Sequence, residues 1–268
     1  TKRLRAARSS ARARRVALSV ARRFAAIEPA LRAGLRAGHL FQSVLGAGAM
    51  AALTRAIRVV LGKPFPQWSA EMPRAAKTAR PATSRAGAAA VYFPACISRT
   101  MGELPGEPRT PSLIGAFVAV AARAGAPVWI PDGVEGTCCG VPFSSKGYVE
   151  AHALAANRAI ERFWTWSDGG RLPVVVDTSP CTWGLATCGS QLTPENRERA
   201  ARMTVLDAIA FTHDALLPRL SALRRTGPIA IHPVCSVTKM GLGAKLEAIA
   251  RFCGDDVRVP ASAGCCAF

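Results

Sequence analysis

At 268 residues, half of them hydrophobic, the chain is long enough to bury an ordinary core without covalent staples. Its nine cysteines, an odd number, are therefore not read as the disulfide framework of a small secreted domain. The formal charge of +18 is uneven: residues 1–85 carry 18 Lys or Arg against only Glu28 and Glu71, a net of +16, and the rest of the chain is close to neutral.

The basic segment, residues 1–85, is read as helical, with Ala/Arg-rich faces turned to solvent. Docking to an acidic surface, either another domain or a lipid face, is the second reading. Nucleic acid is not expected, because the segment has few aromatic residues, no zinc-finger pattern and no recognition helix. The longest uncharged stretch, Ala37 to Thr54, is interrupted by His39, Gln42, Ser43 and several glycines. It is marginal in length for a membrane span and reads as a short amphipathic or core helix. The Pro/Ala/Ser/Arg-rich stretch from Pro73 to Arg85 reads as a linker.

Beyond the linker, short apolar runs alternate with helical patterns. Strands are predicted at Ala88–Phe93, Pro127–Ile130, Pro173–Asp177, Pro228–Ile231 and Val257–Val259, and helices at Ser112–Ala124, Gly147–Trp166, Val205–Leu216 and Leu242–Phe252. In the second helix Val149, Ala153, Ala156, Ile160 and Phe163 fall on one side, with Glu150, Arg158, Glu161 and Arg162 elsewhere. This alternation predicts an α/β fold with a largely parallel sheet, preceded by the basic helical segment.

A cysteine pattern occurs twice in this part. Phe93-Pro94-Ala95-Cys96 with Met101-Gly102 returns as His232-Pro233-Val234-Cys235 with Met240-Gly241, an internal repeat of one structural unit. The first copy leads to Gly136-Thr137-Cys138-Cys139-Gly140 and then to Thr178-Ser179-Pro180-Cys181; the second leads to Gly264-Cys265-Cys266. Clustered thiolates at motif spacing read as metal or cluster ligands. Each group follows a predicted strand, and in open α/β sheets sites gather beyond the carboxyl ends of the strands. Gly136 and Gly140 permit the sharp turn that adjacent ligands need.

The other candidates are weaker. Cys253 falls on a helix face with Leu242, Leu246 and Ile249 and reads as a buried, inert thiol. Cys188, about 10 Å along a helix from Cys181, is too distant to share an iron with it. Arg99 and Lys239 follow the first cysteine of each copy, read either as cations that raise a cluster's potential or as plain surface residues. His232 reads as a hydrogen-bonded strand-end residue, with zinc ligation as the other reading. His152 and His213 carry no motif. There is no nucleotide-binding glycine motif, Walker sequence or nucleophile elbow.

The run Val91-Tyr92-Phe93-Pro94-Ala95-Cys96-Ile97-Ser98-Arg99-Thr100-Met101-Gly102, with Asp177-Thr178-Ser179-Pro180-Cys181-Thr182-Trp183-Gly184, resembles the cysteine-rich CCG domain. That domain occurs in heterodisulfide reductase subunits, in the iron-sulfur subunits of glycolate oxidase and anaerobic glycerol-3-phosphate dehydrogenase, and in fused FAD and iron-sulfur D-lactate dehydrogenases. The wording is most similar to the cytochrome-type D-lactate dehydrogenases. The resemblance runs from residue 86 to residue 268 and implies two tandem CCG-type repeats, 86–225 and a truncated 226–268. It implies cluster ligands at Cys96, Cys138, Cys139 and Cys181 in the first repeat, and at Cys235, Cys265 and Cys266 in the second. One departure matters: the fullest motif ends Cys-x-x-Cys, whereas Thr182, Trp183 and Gly184 follow Cys181 here. Four thiolates remain, and these suit zinc as well as a 4Fe-4S cluster.

What the resemblance further implies is an electron-transfer portion of a larger enzyme that oxidises D-lactate or a similar 2-hydroxy acid. FAD and a ferredoxin domain are expected upstream, since Thr1-Lys2-Arg3-Leu4-Arg5 resembles the exit from a ferredoxin-type domain and Phe268 falls inside the second motif. A cytochrome or quinone is the implied acceptor. The implied location is cytoplasmic, with peripheral contact at the inner face of the membrane through the basic segment as an extension of it. No residue is assigned to substrate oxidation itself. Two other classes stay open: disulfide reduction at a cluster, as in heterodisulfide reductase, and a structural zinc module for protein interaction.

Overall fold

The computed structural model describes residues 2–62, 67–106, 111–221 and 227–261. The chain opens with four helices, α1 (Lys2–Arg8), α2 (Ala11–Arg22), α3 (Phe24–Leu45) and α4 (Ala47–Leu61). Ser10 caps α2 by accepting the amide of Ala13 at 3.2 Å, as the free N–H groups of a first turn require. The stretch expected to form one short helix from Ala37 to Thr54 is instead broken at Gly46, whose φ of +81° ends α3 and lets α4 turn back on it.

A four-stranded parallel sheet follows, ordered β2-β1-β3-β4, from β1 (Ala90–Phe93), β2 (Val128–Trp129), β3 (Val174–Val176) and β4 (Val205–Asp207). Helices α5 (Cys96–Thr100) and α6 (Leu113–Arg123) link β1 to β2. Next come α7 (Val141–Lys146) and α8 (Val149–Trp166), leading to β3, and α9 (Ser179–Ala186) and α10 (Pro194–Arg202), leading to β4. Every side chain of β1 and β3 is buried, the mark of a parallel sheet covered on both faces.

Successive residues of a strand point to opposite faces, and β1 shows which helices lie where. Tyr92 meets Phe117 of α6, whose ring faces Phe211, while Phe93 meets Phe163 and Trp166 of α8. The sheet is thus the middle of three layers. Behind α8 lies α2, and Ala17, Ala21 and Phe24 belong to the same apolar core as the strands. The buried side of α8 is Ala151, Ala155, Ala156, Ala159, Ile160 and Phe163. Of the face read from sequence, Val149 turns out to be exposed.

One predicted helix needs correction. Val205–Leu216 begins as strand β4, paired through Val205 and Leu206 to Val174 and Val175. Its last residue, Asp207, then caps α11 (Ala208–Phe211) by accepting the amide of Ile209 at 3.0 Å. A π turn over Thr212–Leu216 continues α11. An Asp at this position stops a strand and starts a helix, since its carboxylate serves the orphan amides of a first turn.

The remaining part holds β5 (Ile229–Ala230), α12 (Cys235–Lys239), α13 (Gly243–Cys253) and β6 (Val257–Arg258), with β5 and β6 paired in parallel. Its order of strand, five-residue helix opening on a cysteine, longer helix and parallel strand is the order of β1, α5, α6 and β2. Ala95 and Val234, just before the two cysteines, share nearly the same backbone angles. Overall the protein is an α/β protein in which helices surround small parallel sheets. Among the described residues no helix is long and apolar enough to cross a membrane.

Candidate metal centre

Four of the seven candidate cysteines meet at the carboxyl edge of the sheet. Cys96 opens α5 just past β1, Cys138 and Cys139 lie in the turn before α7, and Cys181 is in the first turn of α9 just past β3. Their thiols form a relay: Cys96 donates toward Cys138, Cys138 toward Cys139, and Cys139 to the sulfur of Cys181 at 2.9 Å. The backbone N–H of Gly140 also points at the sulfur of Cys138, 3.4 Å away. Cys138, Cys139 and Cys181 are buried and Cys96 is half-buried.

Hydrogen bonding and burial hold the thiols of Cys96, Cys138 and Cys139 above the ordinary range. The Cys96 thiol lies well above its ordinary range because its proton is held by Cys138 and because it is buried; the charge of Arg99 pulls the other way and is outweighed. Cys138 is pushed up to about 12 by donation to Cys139, against an opposing pull from Cys96 and with burial adding to the rise. Cys139 also lies well above normal: the hydrogen bond from Cys138 lowers it, but donation to Cys181 and burial dominate. Four neighbouring sulfurs cannot ionise together without a cation among them.

The turn carrying Cys138 and Cys139 is built on two glycines in the left-handed region, Gly136 at φ +75° and Gly140 at φ +84°. A Cβ on Gly140 would also fall 2.7 Å from the ring of His152. At Gly184, where the longer form of the motif has another cysteine, a Cβ would fall 2.2 Å from Cγ2 of Val141. A side chain at Gly184 would therefore have to displace Val141 in the contact of α9 with α7.

Sequence reasoning missed the acidic groups beneath the site. Glu28 of α3 is completely buried and forms an ion pair with Arg99, itself 5% exposed. Arg99 Nε donates to Glu28 Oε2 at 3.1 Å, and Nη2 to the Thr137 carbonyl at 2.8 Å; the remaining nitrogen reaches the Pro94 carbonyl. Glu28 Oε1 accepts the amide of Gly136 at 3.2 Å. One pair thus fixes the residues just before Cys96 and Cys138. Asp177 does similar work between β1 and β3, accepting the Ala95 amide at 2.8 Å and the Tyr92 hydroxyl at 2.9 Å. Burial raises its pKa, although these donors and those of Ser98 and Thr178 oppose the rise. The signal for Glu28 was its isolation, one of two acidic residues among the first 85; for Asp177 it was its position at a strand end four residues before Cys181.

Arg99 is consequently not a surface residue. Lys239, its counterpart in sequence, is exposed and lies over the ring of Trp183 at 5.7 Å. Cys235 is exposed at the start of α12, and Cys265 and Cys266 lie outside the described residues. Cys253, read as buried, is exposed, because it is the last residue of α13 and the buried positions of that helix are Leu242, just before it, and Ala250. Cys188 is buried with its thiol directed at the Leu185 carbonyl, 3.1 Å away. His232 is exposed.

Four sulfurs without a carboxylate or imidazole among them would suit a thiophilic metal rather than a hard one. Two of these sulfurs sit closer together than a metal shell allows. A tetrahedral zinc shell with Zn–S near 2.3 Å separates its sulfurs by about 3.8 Å, against 2.9 Å between Cys139 and Cys181. Accordingly, no group of three or more His, Cys, Asp or Glu among the described residues has the arrangement of a metal site. Taking up a metal requires the sulfurs to lose protons and part by about 1 Å.

Fold and site together define a class: an α/β protein with a four-thiol cluster at the carboxyl edge of a parallel sheet. No family model, curated protein or solved structure matches the chain.

Proposed function

We propose that Cys96, Cys138, Cys139 and Cys181 hold an iron-sulfur cluster of the four-iron type, and that the protein is an electron-transfer module of a larger flavin-linked oxidoreductase. The convergence of these four thiols from three separate strand ends carries the reading. The matching order of strand, helix, helix and strand around Cys96 and Cys235 supports a tandem CCG-type arrangement, with Cys265 and Cys266 completing the second site. Bound at the first site, such a cluster supplies one-electron chemistry.

The chain's own residues hold and tune the site. Four thiolates bring a charge that the buried cation of Arg99 partly offsets, and the Gly140 amide directs a hydrogen bond at the Cys138 sulfur. Both features favour the more reduced, more negative state and raise the potential. The Glu28 carboxylate beside Arg99 limits that rise. By the resemblance to cytochrome-type D-lactate dehydrogenases, the electrons come from a 2-hydroxy acid through an FAD outside this chain and leave toward a cytochrome or quinone.

Iron and acid-labile sulfide analysis after anaerobic purification, combined with electron paramagnetic resonance, tests the assignment. Iron and sulfide in comparable amounts are expected, with the resonance lost in Cys139→Ser. Zinc without iron replaces the redox reading with a structural one, and a full signal in Cys139→Ser removes that residue from the ligand set.

A further inference from the structure

The hairpin of α3 and α4 has a dry inner side and an uncovered outer one. On the inner side the ring of Trp68 lies against Gly38, where a Cβ would fall 2.2 Å from it. Its Nε1 donates to Gln42 Oε1 at 2.6 Å, and its amide to Thr54 Oγ1 at 3.0 Å. Met50 and Thr54 are buried and Trp68 is half-buried. These contacts fix which way each helix faces. The outer side carries Leu40, Phe41, Val44 and Leu45 near the end of α3, 67%, 55%, 74% and 53% exposed, and Leu53 on α4, 47% exposed. Side chains of this size are normally covered, and a contiguous group of them marks an interaction surface.

The charges around this tip select the partner. Residues 37–54, the whole of the hairpin tip, contain no charged side chain. Arg36 on α3 and Arg55 on α4 bound the run at nearly equal distances from the turn at Gly46, and both are exposed. Arg32 and Arg58, one helical turn further from the tip, are half-buried and bonded within the protein, to the Arg99 carbonyl at 3.2 Å and to Gln67 Oε1 at 3.4 Å, so the exposed collar is Arg36 and Arg55. At the tip the order, apolar side chains and then Arg36 and Arg55, matches that of an anionic bilayer, acyl chains first and phosphate headgroups next; Val59 and Val60, also exposed on α4, lie beyond the arginines and outside this surface. A nucleic-acid backbone offers the arginines a partner but nothing for Phe41 and Val44.

We infer that the α3–α4 hairpin docks on an anionic lipid surface, its tip entering the headgroup and acyl boundary and its arginine collar meeting the phosphates. The tip is about 12–13 Å deep, nine residues on α3 (37–45) and eight on α4 (47–54) at 1.5 Å each, enough for the 5–10 Å burial of an interfacial helix and too little to span a bilayer. This surface is independent of the thiol site and of what that site binds.

Sedimentation of the whole chain with vesicles tests it, using phosphatidylglycerol mixed into phosphatidylcholine against phosphatidylcholine alone. Binding to the anionic vesicles is expected, weakening as salt rises, with little binding to the neutral ones. Phe41→Ser with Val44→Ser, and separately Arg36→Gln with Arg55→Gln, are each expected to weaken anionic-vesicle binding roughly tenfold or more. Both pairs are exposed, so their melting temperatures stay near that of the parent. If either pair unfolds the chain, Leu40→Ser and Arg55→Gln as single changes carry the test. Absence of binding to anionic vesicles overturns the inference, as does undiminished binding by Phe41→Ser with Val44→Ser, which leaves net charge as the cause. A lipid-free dimer that the same pair of changes converts to monomer also overturns it, by assigning the face to a second copy of the chain.

Discussion

At the scale of single residues, the buried pair of Glu28 and Arg99 holds the thiol site in shape. Removing one partner leaves the other charge without compensation in a dry interior, which costs about 3–5 kcal/mol. Glu28→Ala is therefore expected to lower stability by that order in urea unfolding. Replacing both with apolar residues, Glu28→Leu with Arg99→Met, recovers much of the loss, because the desolvation of both ions disappears together. Asp177 gives a pH signature. Its folded-state pKa lies above that of the unfolded chain, so the native state binds the proton more tightly. Its effect on stability is thus most favourable at low pH and declines as pH rises from the ordinary carboxylate range through the raised folded value. Urea midpoints measured across this range are expected to fall less with pH in Asp177→Asn than in the parent; equal slopes assign the pH dependence to other groups. Arg99 stood out in the sequence by its place after Cys96, but its pairing did not, since no spacing links Glu28 to Arg99. The cysteines did stand out, because a repeated motif survives without knowledge of the fold. Cys253 was misread for a related reason: helical periodicity gives a face but not where the helix leaves the core.

Among the elements, the turn between β2 and α7 has little freedom to change. Gly140 combines a left-handed backbone with a ring packed where a side chain would be. Gly140→Ala is expected to destabilise the fold by roughly 1–3 kcal/mol and to weaken cobalt binding by the thiols, followed through the charge-transfer bands of thiolate-bound cobalt. Unchanged cobalt affinity separates the turn from the site. Gly184→Cys sets the complementary case: the new side chain meets Val141 and overpacks the contact of α9 with α7, at a cost of typically 1–3 kcal/mol. Pairing it with Val141→Ala is expected to restore most of the stability, read as a thermal midpoint. Most strands were legible because Ala90–Phe93 and Val174–Val176 are short apolar runs between turn residues, the pattern of a strand buried on both faces. β4 was not, because Val205, Leu206 and Asp207 run into a helical segment without a glycine or proline, and only pairing with β3 makes them a strand. Short helices such as α5 and α9 carry too few residues to show a period.

For the molecule as a whole, the decisive feature is that the basic helices share a core with the cysteine-rich part. Charge divides the sequence sharply near residue 85, yet Ala17, Ala21 and Phe24 pack with the strands, and Glu28 reaches the site. Composition reports what faces water, and an arginine-rich helix can bury a narrow alanine stripe that leaves little trace in a charge count. Ala21, 2% exposed, lies in the contact of α2 with α8, where the Ala21 carbonyl accepts Arg158 Nη1 at 3.2 Å. A glutamate there must either push α2 away or bury a charge, and Ala21→Glu is expected to cost about 2–4 kcal/mol. The form of unfolding is the sharper observable. With one shared core, far-ultraviolet ellipticity and tryptophan fluorescence are expected to change together in a single transition, in the parent and at a lower midpoint in Ala21→Glu. An early helical transition that leaves the fluorescence of Trp164 and Trp166 on α8 unchanged makes the first helices a separate unit, and the stabilising role of Glu28 then ends with that first step.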